Sequence, residues 1–317
     1  MSDVSDPGLE ELFREIDRLA TRRDWDGLLS LRDRARAAHE RGRQHWPAAA
    51  HAEYRLALEA PGEYAGAVIV EGAGRFAPGP LSEVAASTHT WAELAPHIPS
   101  GPLLTITAHE RIVRGEDLSA DDRVDRLVLP LPLALQSWEP AYPLATYRPD
   151  EADFPAPPIP ALSSVELPPT PHASTTDADE ALALRALVAT WLTDSNGRSE
   201  AVGVEGSALT AIAALGVTQA RVAELTLADA MALMAWAGAS GGAEGRRRGM
   251  TWGRFLAWEC AAELAGVDIE DDVGSAAAEL RWFVWDTGGA DTGWSLRLAV
   301  EDPEAGCAWA LGATDQS

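Results

Sequence analysis

Twelve of the chain's 21 prolines fall between Pro130 and Pro171. Proline donates no backbone hydrogen bond, and its ring collides with a preceding helical turn, so a stretch this dense excludes long regular elements. Regular structure must be built on either side of it. This predicts an N-terminal helical domain over 1–129 and a Pro-rich wrapping segment and linker over 130–176. A C-terminal helical domain over 177–317, ending in a β-hairpin, completes the expected organisation.

Upstream, Leu9, Leu12, Phe13, Ile16 and Leu19 follow the three-four spacing of an amphipathic helix that begins after Asp6-Pro7 and ends near Arg23. A second helix is predicted from Asp24, with Trp25, Leu28, Leu29 and Leu31 leading its apolar side. A third opens at Trp46-Pro47 and runs through Tyr54 and Leu58 to Pro61. The run Ala57-Leu58-Glu59-Ala60-Pro61 resembles the end of a tetratricopeptide unit, but the helix lengths do not fit that repeat's period of about 34 residues. Further helices are predicted over 81–95 and 101–115, with Leu103-Leu104-Thr105-Ile106-Thr107 equally readable as a strand. Downstream, Thr176-Asp177 starts a helix through Leu182, Leu187 and Trp191, followed by helices near 205–215, 218–238 and 250–266. Only the tail reads as strand: Arg281 to Trp285 and Trp294 to Val300, joined by a Gly-rich loop. A two-stranded ribbon is not stable alone, so helices or a partner must cover it. The expected fold class is mainly α, with stacked helical hairpins and a small C-terminal β-hairpin (α+β).

The chain has no lysine; all 25 of its basic residues are arginine. This excludes P-loop enzymes, protein kinases, pyridoxal enzymes and Schiff-base aldolases, each of which needs the amine. Net charge is −24, and residues 1–60 hold 10 arginines against 12 acidic residues. The rest of the chain is far more acidic, which makes nucleic acid a poor partner. Arg32, Arg34, Arg36, Arg41 and Arg43 share one predicted helix and read as a solvated face paired with acids. The first residues carry no basic or apolar leader, and the longest apolar run, Leu127 to Leu135, is proline-broken and too short to span a bilayer. A cytoplasmic location without a membrane partner is expected. Cys260 and Cys307 lie far apart, which suggests neither a disulfide framework nor a zinc site.

Several short patterns invite catalytic readings. Gly238-Ala239-Ser240-Gly241-Gly242 spells the Gly-x-Ser-x-Gly elbow, but a helix is predicted before Ser240 and every histidine lies at or before His172. Asp286-Thr287-Gly288 and Asp291-Thr292-Gly293 spell the aspartic-protease triplet, five residues apart in what reads as a hairpin turn. Asp121, Asp122 and Asp125 match the Asp-Asp-x-x-Asp metal pattern of helical prenyl-diphosphate enzymes. The second metal motif of terpene cyclases is absent, since Glu200 and Val204 stand where it would fall after Asn196. His89 and His109 form an acid–base pair only if the fold brings them together, and His39-Glu40 and His109-Glu110 lack the zinc-protease spacing.

The strongest candidate site is the Gly/Arg-rich loop of 238–254: Ser240, Gly241, Gly242, Gly245, Arg246, Arg247, Arg248 and Arg254. Glycines that expose N–H groups before a helix, beside guanidinium forks, suit phosphate or carboxylate. Trp282, Trp285 and Trp294 of the aromatic hairpin are candidates for contact with a partner. The stretches Arg75 to Leu81 through Trp91, Trp236 to Gly249, and Leu280-Arg281-Trp282 to Trp309-Ala310-Leu311 resemble an uncharacterised actinobacterial protein family with no assigned activity. The resemblance implies a bacterial cytosolic setting. The reading that follows is a non-catalytic interaction or adaptor protein that holds a protein partner, with no cofactor. The alternative is a small-molecule enzyme or sensor binding a phosphorylated or carboxylated ligand at 238–254.

Overall fold

The three-four spacing at the start of the chain forms α1 (Leu9–Arg22), which buries Ile16, Leu19 and Ala20. Arg23 closes it in the left-handed region (φ 56°), with its N–H on the carbonyl of Ala20 and that of Asp24 on Leu19. The structure, a computed structural model, describes residues 8–40, 42, 44–170, 174–289 and 293–316. Two compact units divide the chain. The first holds the residues up to Ile112 with Ala120–Val128 and Ala145–Asp153; the second holds Val113–Ser119, Leu129–Leu144 and the chain from Phe154 on.

In the first unit α2 (Trp25–Glu40) packs with α1 against α3 (Trp46–Glu59). Helix α3 is the axis of the unit. Pro47 sits in its first turn, and its small residues, Ala48, Ala49, Ala50, Ala52 and Ala57, are buried beside Leu56 and Leu58. The short α4 (Gly62–Ala67) follows, then α5 (Leu81–Thr88), α6 (Trp91–Leu94) and α7 (Pro102–Ile112). The unit is completed by a two-stranded ribbon, β1 (Thr146–Arg148) and β2 (Glu151–Asp153), which pairs antiparallel around Tyr147↔Ala152. Too short to stand alone, the ribbon is tied down by side chains. The Tyr54 hydroxyl donates to the Arg148 carbonyl at 2.5 Å, and the Tyr147 hydroxyl to the buried Glu83 at 2.7 Å.

The second unit is built on β3 (Ser163–Val165), α8 (Asp179–Ala186), α9 (Ala189–Thr193), β4 (Arg198–Glu205), α10 (Ala208–Ala214) and β5 (Ala220–Leu225). It continues with α11 (Leu227–Ala239), α12 (Met250–Leu264), α13 (Val273–Ala278), β6 (Arg281–Asp286), β7 (Trp294–Asp302) and β8 (Cys307–Asp315). The strands form one antiparallel sheet in the order β3-β5-β6-β7-β8-β4. Side chains alternate across it, as strand geometry requires. Trp282, Val284, Leu296, Leu298, Val300, Trp309, Leu311 and Ala313 join the core containing α8, α11 and α12. On the other face Val204, Val222, Trp285, Ala299, Ala308 and Ala310 pack with Ala208, Ala211 and Ile212 of α10.

The expectation of a mainly helical fold with a small C-terminal β-hairpin is therefore corrected: the protein is mixed α+β. The hairpin β6–β7 is the centre of a six-stranded sheet, not an appendage. The single helix expected over 218–238 is a strand and a helix, β5 and α11, broken at Thr226, whose hydroxyl accepts the N–H of Asp229 and caps α11. Strands β4 and β8 were not expected. The alanines and glycines of these two strands, which fall on both faces of the sheet, hide the alternation.

Candidate functional site

The Gly/Arg-rich loop joins α11 to α12, and most of its polar groups serve the fold. Ser240 is buried. Its Oγ accepts the Trp191 indole N–H at 2.7 Å and donates to the Ala237 carbonyl at 3.1 Å. Gly241 and Gly245 touch so closely that a Cβ on either would meet the other's backbone. At Gly242 (φ 78°) a Cβ would strike a carboxylate oxygen of Asp315, the last residue of β8. That carboxylate accepts the Ala243 N–H at 2.7 Å, so the loop does bind an anion, and the anion is the chain's own. Arg247 is buried with its guanidinium 4.7 Å from the Phe154 ring centre, and Arg248 lies 5.0 Å from that of Trp252. Burial holds the Arg248 guanidinium below its ordinary pKa, partly offset by Asp194. Arg246 is exposed.

Arg254 is fully buried. Its Nε and Nη2 donate to the two carboxylate oxygens of Glu139, each at 2.7 Å, while Nη1 and Nη2 donate to the carbonyls of Pro132 and Ala134. Trp258 and Tyr142 donate to the same carboxylate at 3.0 and 2.6 Å. The arginine nominated for an external anion thus clamps the Pro-rich segment to α12.

The remaining candidates are placed as follows. Asp121 accepts the Trp91 indole N–H at 2.6 Å and a bidentate grip from Arg123, which with the indole holds its carboxyl well below the usual range. Asp125 accepts the Leu127 N–H at 2.9 Å. Among the described residues no group of three or more His, Cys, Asp or Glu side chains is placed to hold a metal ion. Asp286 binds Arg221 through both carboxylate oxygens and accepts the Gly288 N–H. Its counterpart Asp291 lies outside the described residues, as do His172, Arg41 and Arg43. His89 is fixed between two carbonyls, with Nε2 2.7 Å from Ala60 and Nδ1 3.0 Å from Ala85, and His109 is buried on α7. Trp282 and Trp285 are core residues. Trp294, half-buried, stacks on Trp236 at 4.7 Å.

A different place remains open to a ligand. In the first unit Trp46, Ala49, Ala50 and Glu53 recur at i, i+3, i+4 and i+7, one stripe of α3. Together with Arg36 of α2 and Gly72, Arg75 and Phe76 of the following turn they line a cleft of about 460 Å³, within the size range of small-ligand sites. Glu53 is buried at its floor and is the reason the cleft has a fixed shape. One carboxylate oxygen accepts Arg36 Nε at 2.5 Å and the other the N–H of Gly74 at 2.6 Å, which pins the turn over the helix. Gly74 has φ 61° with Leu81 filling the space of a Cβ, so only glycine serves there. The Phe76 ring, 55% exposed, lies 3.6 Å from that of Trp46 at 36°. Arg75 holds its guanidinium 5.6 Å from the Phe76 ring centre and, among the described residues, meets no carboxylate.

Two other clefts are lined by charged side chains, the first including Arg23, which like Arg75 meets no carboxylate among the described residues. One of about 700 Å³ in the first unit carries Arg55, Glu59, His89 and Glu93. Arg55 is paired with Asp17 and Glu59, His89 with its carbonyls, and Glu93 with the N–H and hydroxyl of Thr90. The other, in the second unit, is lined by Asp179, Glu259, Glu263 and Asp268. Burial pushes the Glu259 and Glu263 carboxyls up, and at Glu263 the charges of Asp179 and Glu180 add to it.

The model of a family described as being of unknown function, DUF6183, matches residues 10–317. The chain belongs to that family. The match takes in both units of this DUF6183 protein, and with them the α3 cleft and the Gly/Arg-rich loop. No curated protein and no solved structure matches the chain. Among the described residues no helix is long and apolar enough to cross a membrane.

Proposed function

We propose that this DUF6183 protein is a non-catalytic interaction protein of an actinobacterial cytosol that holds a segment of a protein partner in the α3 cleft. The observation that carries this reading is the exposed Phe76 ring on half-buried Trp46, beside a guanidinium that meets no carboxylate among the described residues, on a wall fixed from below by Glu53. Aromatic and arginine side chains in a preformed hollow are what concentrates binding energy at interfaces. Side chains that resemble catalytic groups are otherwise engaged: Ser240 with Trp191, Asp286 with Arg221, His89 with two carbonyls. The alternative ligand site at 238–254 has less support, since its Ala243 N–H is taken by Asp315 and Arg254 by Glu139.

The test is capture of partners from host cytosol on the immobilised protein, then calorimetry with the purified partner. Phe76→Ala removes an exposed ring without opening the core, so thermal stability stays unchanged. Binding falls by about thirtyfold, the effect of losing one hot-spot contact. A partner held equally by both proteins would locate the interaction elsewhere.

A further inference from the structure

Resting on the reading that the α3 cleft is a binding site, we infer that its ligand is a monoanion that combines a planar aromatic ring with one carboxylate, presented by the partner as a C-terminal aromatic residue. Two features of the cleft select this chemistry. The wall of Trp46 and Phe76 over a floor of Ala49, Ala50 and Gly72 is apolar and lacks branched aliphatic side chains, which favours a planar group able to stack or meet an edge. Arg75 supplies a guanidinium without a carboxylate partner among the described residues, and guanidinium recognises carboxylate through paired N–H donors.

Charge decides between a carboxylate and a phosphate. Arg36 and Arg75 face one buried carboxylate, Glu53, and the Arg36 Nε is already committed to it. The cleft therefore has one positive charge to balance. A carboxylate neutralises it; a phosphate dianion would leave an uncompensated negative charge beside Glu53, in a chain whose net charge is −24.

Calorimetry on the full chain with simple probes tests this. N-acetylphenylalanine is compared with N-acetylphenylalaninamide, its neutral isostere, and with phenyl phosphate. The acid binds more tightly than the amide by about tenfold, the value of one charge-assisted contact. Arg75→Gln abolishes that preference, Phe76→Ala removes binding of both, and phenyl phosphate binds no better than the acid. Equal binding of acid and amide, tighter binding of phenyl phosphate, or no binding of any probe overturns the inference. The source is read from a short peptide ending in phenylalanine, with a free or an amidated terminus. Tighter binding of the free peptide than of N-acetylphenylalanine supports a protein chain end. Binding of the free acid without the peptide keeps the ligand chemistry and removes the protein-partner reading. Loss of a captured partner in Phe76→Ala while no probe binds keeps that reading and removes the chemistry.

Discussion

Arg254 makes at least four hydrogen bonds from three nitrogens, and no other residue type could replace it. A lysine would place one ammonium against Glu139, leave the Pro132 carbonyl without the Arg254 donor and leave that of Ala134 with the Gln136 side-chain amide alone. The pair is fully buried, so breaking it strands a charge in a low-dielectric interior. Glu139→Gln is expected to destabilise the protein by about 3–5 kcal/mol in denaturant unfolding. Arg254→Lys, with the charge kept, costs about half as much, for the lost donors alone. Burial alone would raise the Glu139 carboxyl, but the hydrogen bonds and charge of Arg254, with the Gln136 N–H and the Tyr142 hydroxyl, outweigh it and hold the folded value below the usual 4.5. The pair's contribution is therefore complete above the unfolded value and disappears as pH falls through the folded one. The stability gap between wild type and Glu139→Gln should narrow on acidification across that window. A gap that stays constant would mean that Glu139 takes up its proton at the same pH in the folded and unfolded chain, so that Arg254 does not hold its folded value down.

At the scale of elements, helices with a polar face were legible and small-residue strands were not. Leu9 to Leu19 shows its period openly because one side of α1 meets water. Strand β8 runs Cys307-Ala-Trp-Ala-Leu-Gly-Ala-Thr-Asp, with alanine on both faces, so the period of two shows only in Trp309 and Leu311. Lacking β-branched residues until Thr314, it offers none of the usual strand composition. The α3 stripe was hidden for another reason. Arg36 belongs to a row of arginines that reads as solvated, and its partner Glu53 stands 17 residues away, on a helix whose composition suggests only packing. The available signal was an acid at i+7 from Trp46 on an otherwise alanine-rich face. The glycines of the Gly/Arg-rich loop read as suited to an anion, but nothing local announces that Asp315, 72 residues on, accepts the Ala243 N–H. Helices α11 and α12 give the element-scale prediction. A Cβ on Gly253 would collide with the Ala235 carbonyl and crowd Ala239. Gly253→Ala gains about 1 kcal/mol of helix propensity yet is expected to lose about 2 kcal/mol net, because backbone cannot move aside as a side chain can. A variant as stable as wild type would mean that the two helices separate freely.

For the whole molecule the governing quantity is a net charge of −24 on a chain of 317 residues. Self-repulsion of this size opposes compaction, and salt screens it over a Debye length that shrinks from about 30 Å at 0.01 M to about 8 Å at 0.15 M. Salt also weakens exposed ion pairs such as Arg14–Glu10 and Arg281–Glu224. Each of those contributes only about 0–1 kcal/mol, and several are in direct contact, where screening acts least. The buried Arg254–Glu139 pair is beyond its reach. Repulsion among the unpaired carboxylates should therefore dominate the response. Raising sodium chloride from about 0.01 M to about 0.15 M is expected to stabilise the protein by about 1–2 kcal/mol, which for a chain of this size moves the melting temperature upward by several degrees. Chloride is the salt to use, since sulfate would add its own exclusion effect on buried surface. A melting temperature that falls with chloride would mean that the arginines, although outnumbered 25 to 49, are placed so that attraction exceeds repulsion. In that case the absence of lysine acquires a structural reason. Guanidinium forks that grip two carboxylate oxygens, as at Arg221–Asp286 and Arg123–Asp121, would be holding an acidic surface together that point-charge ammonium groups could not.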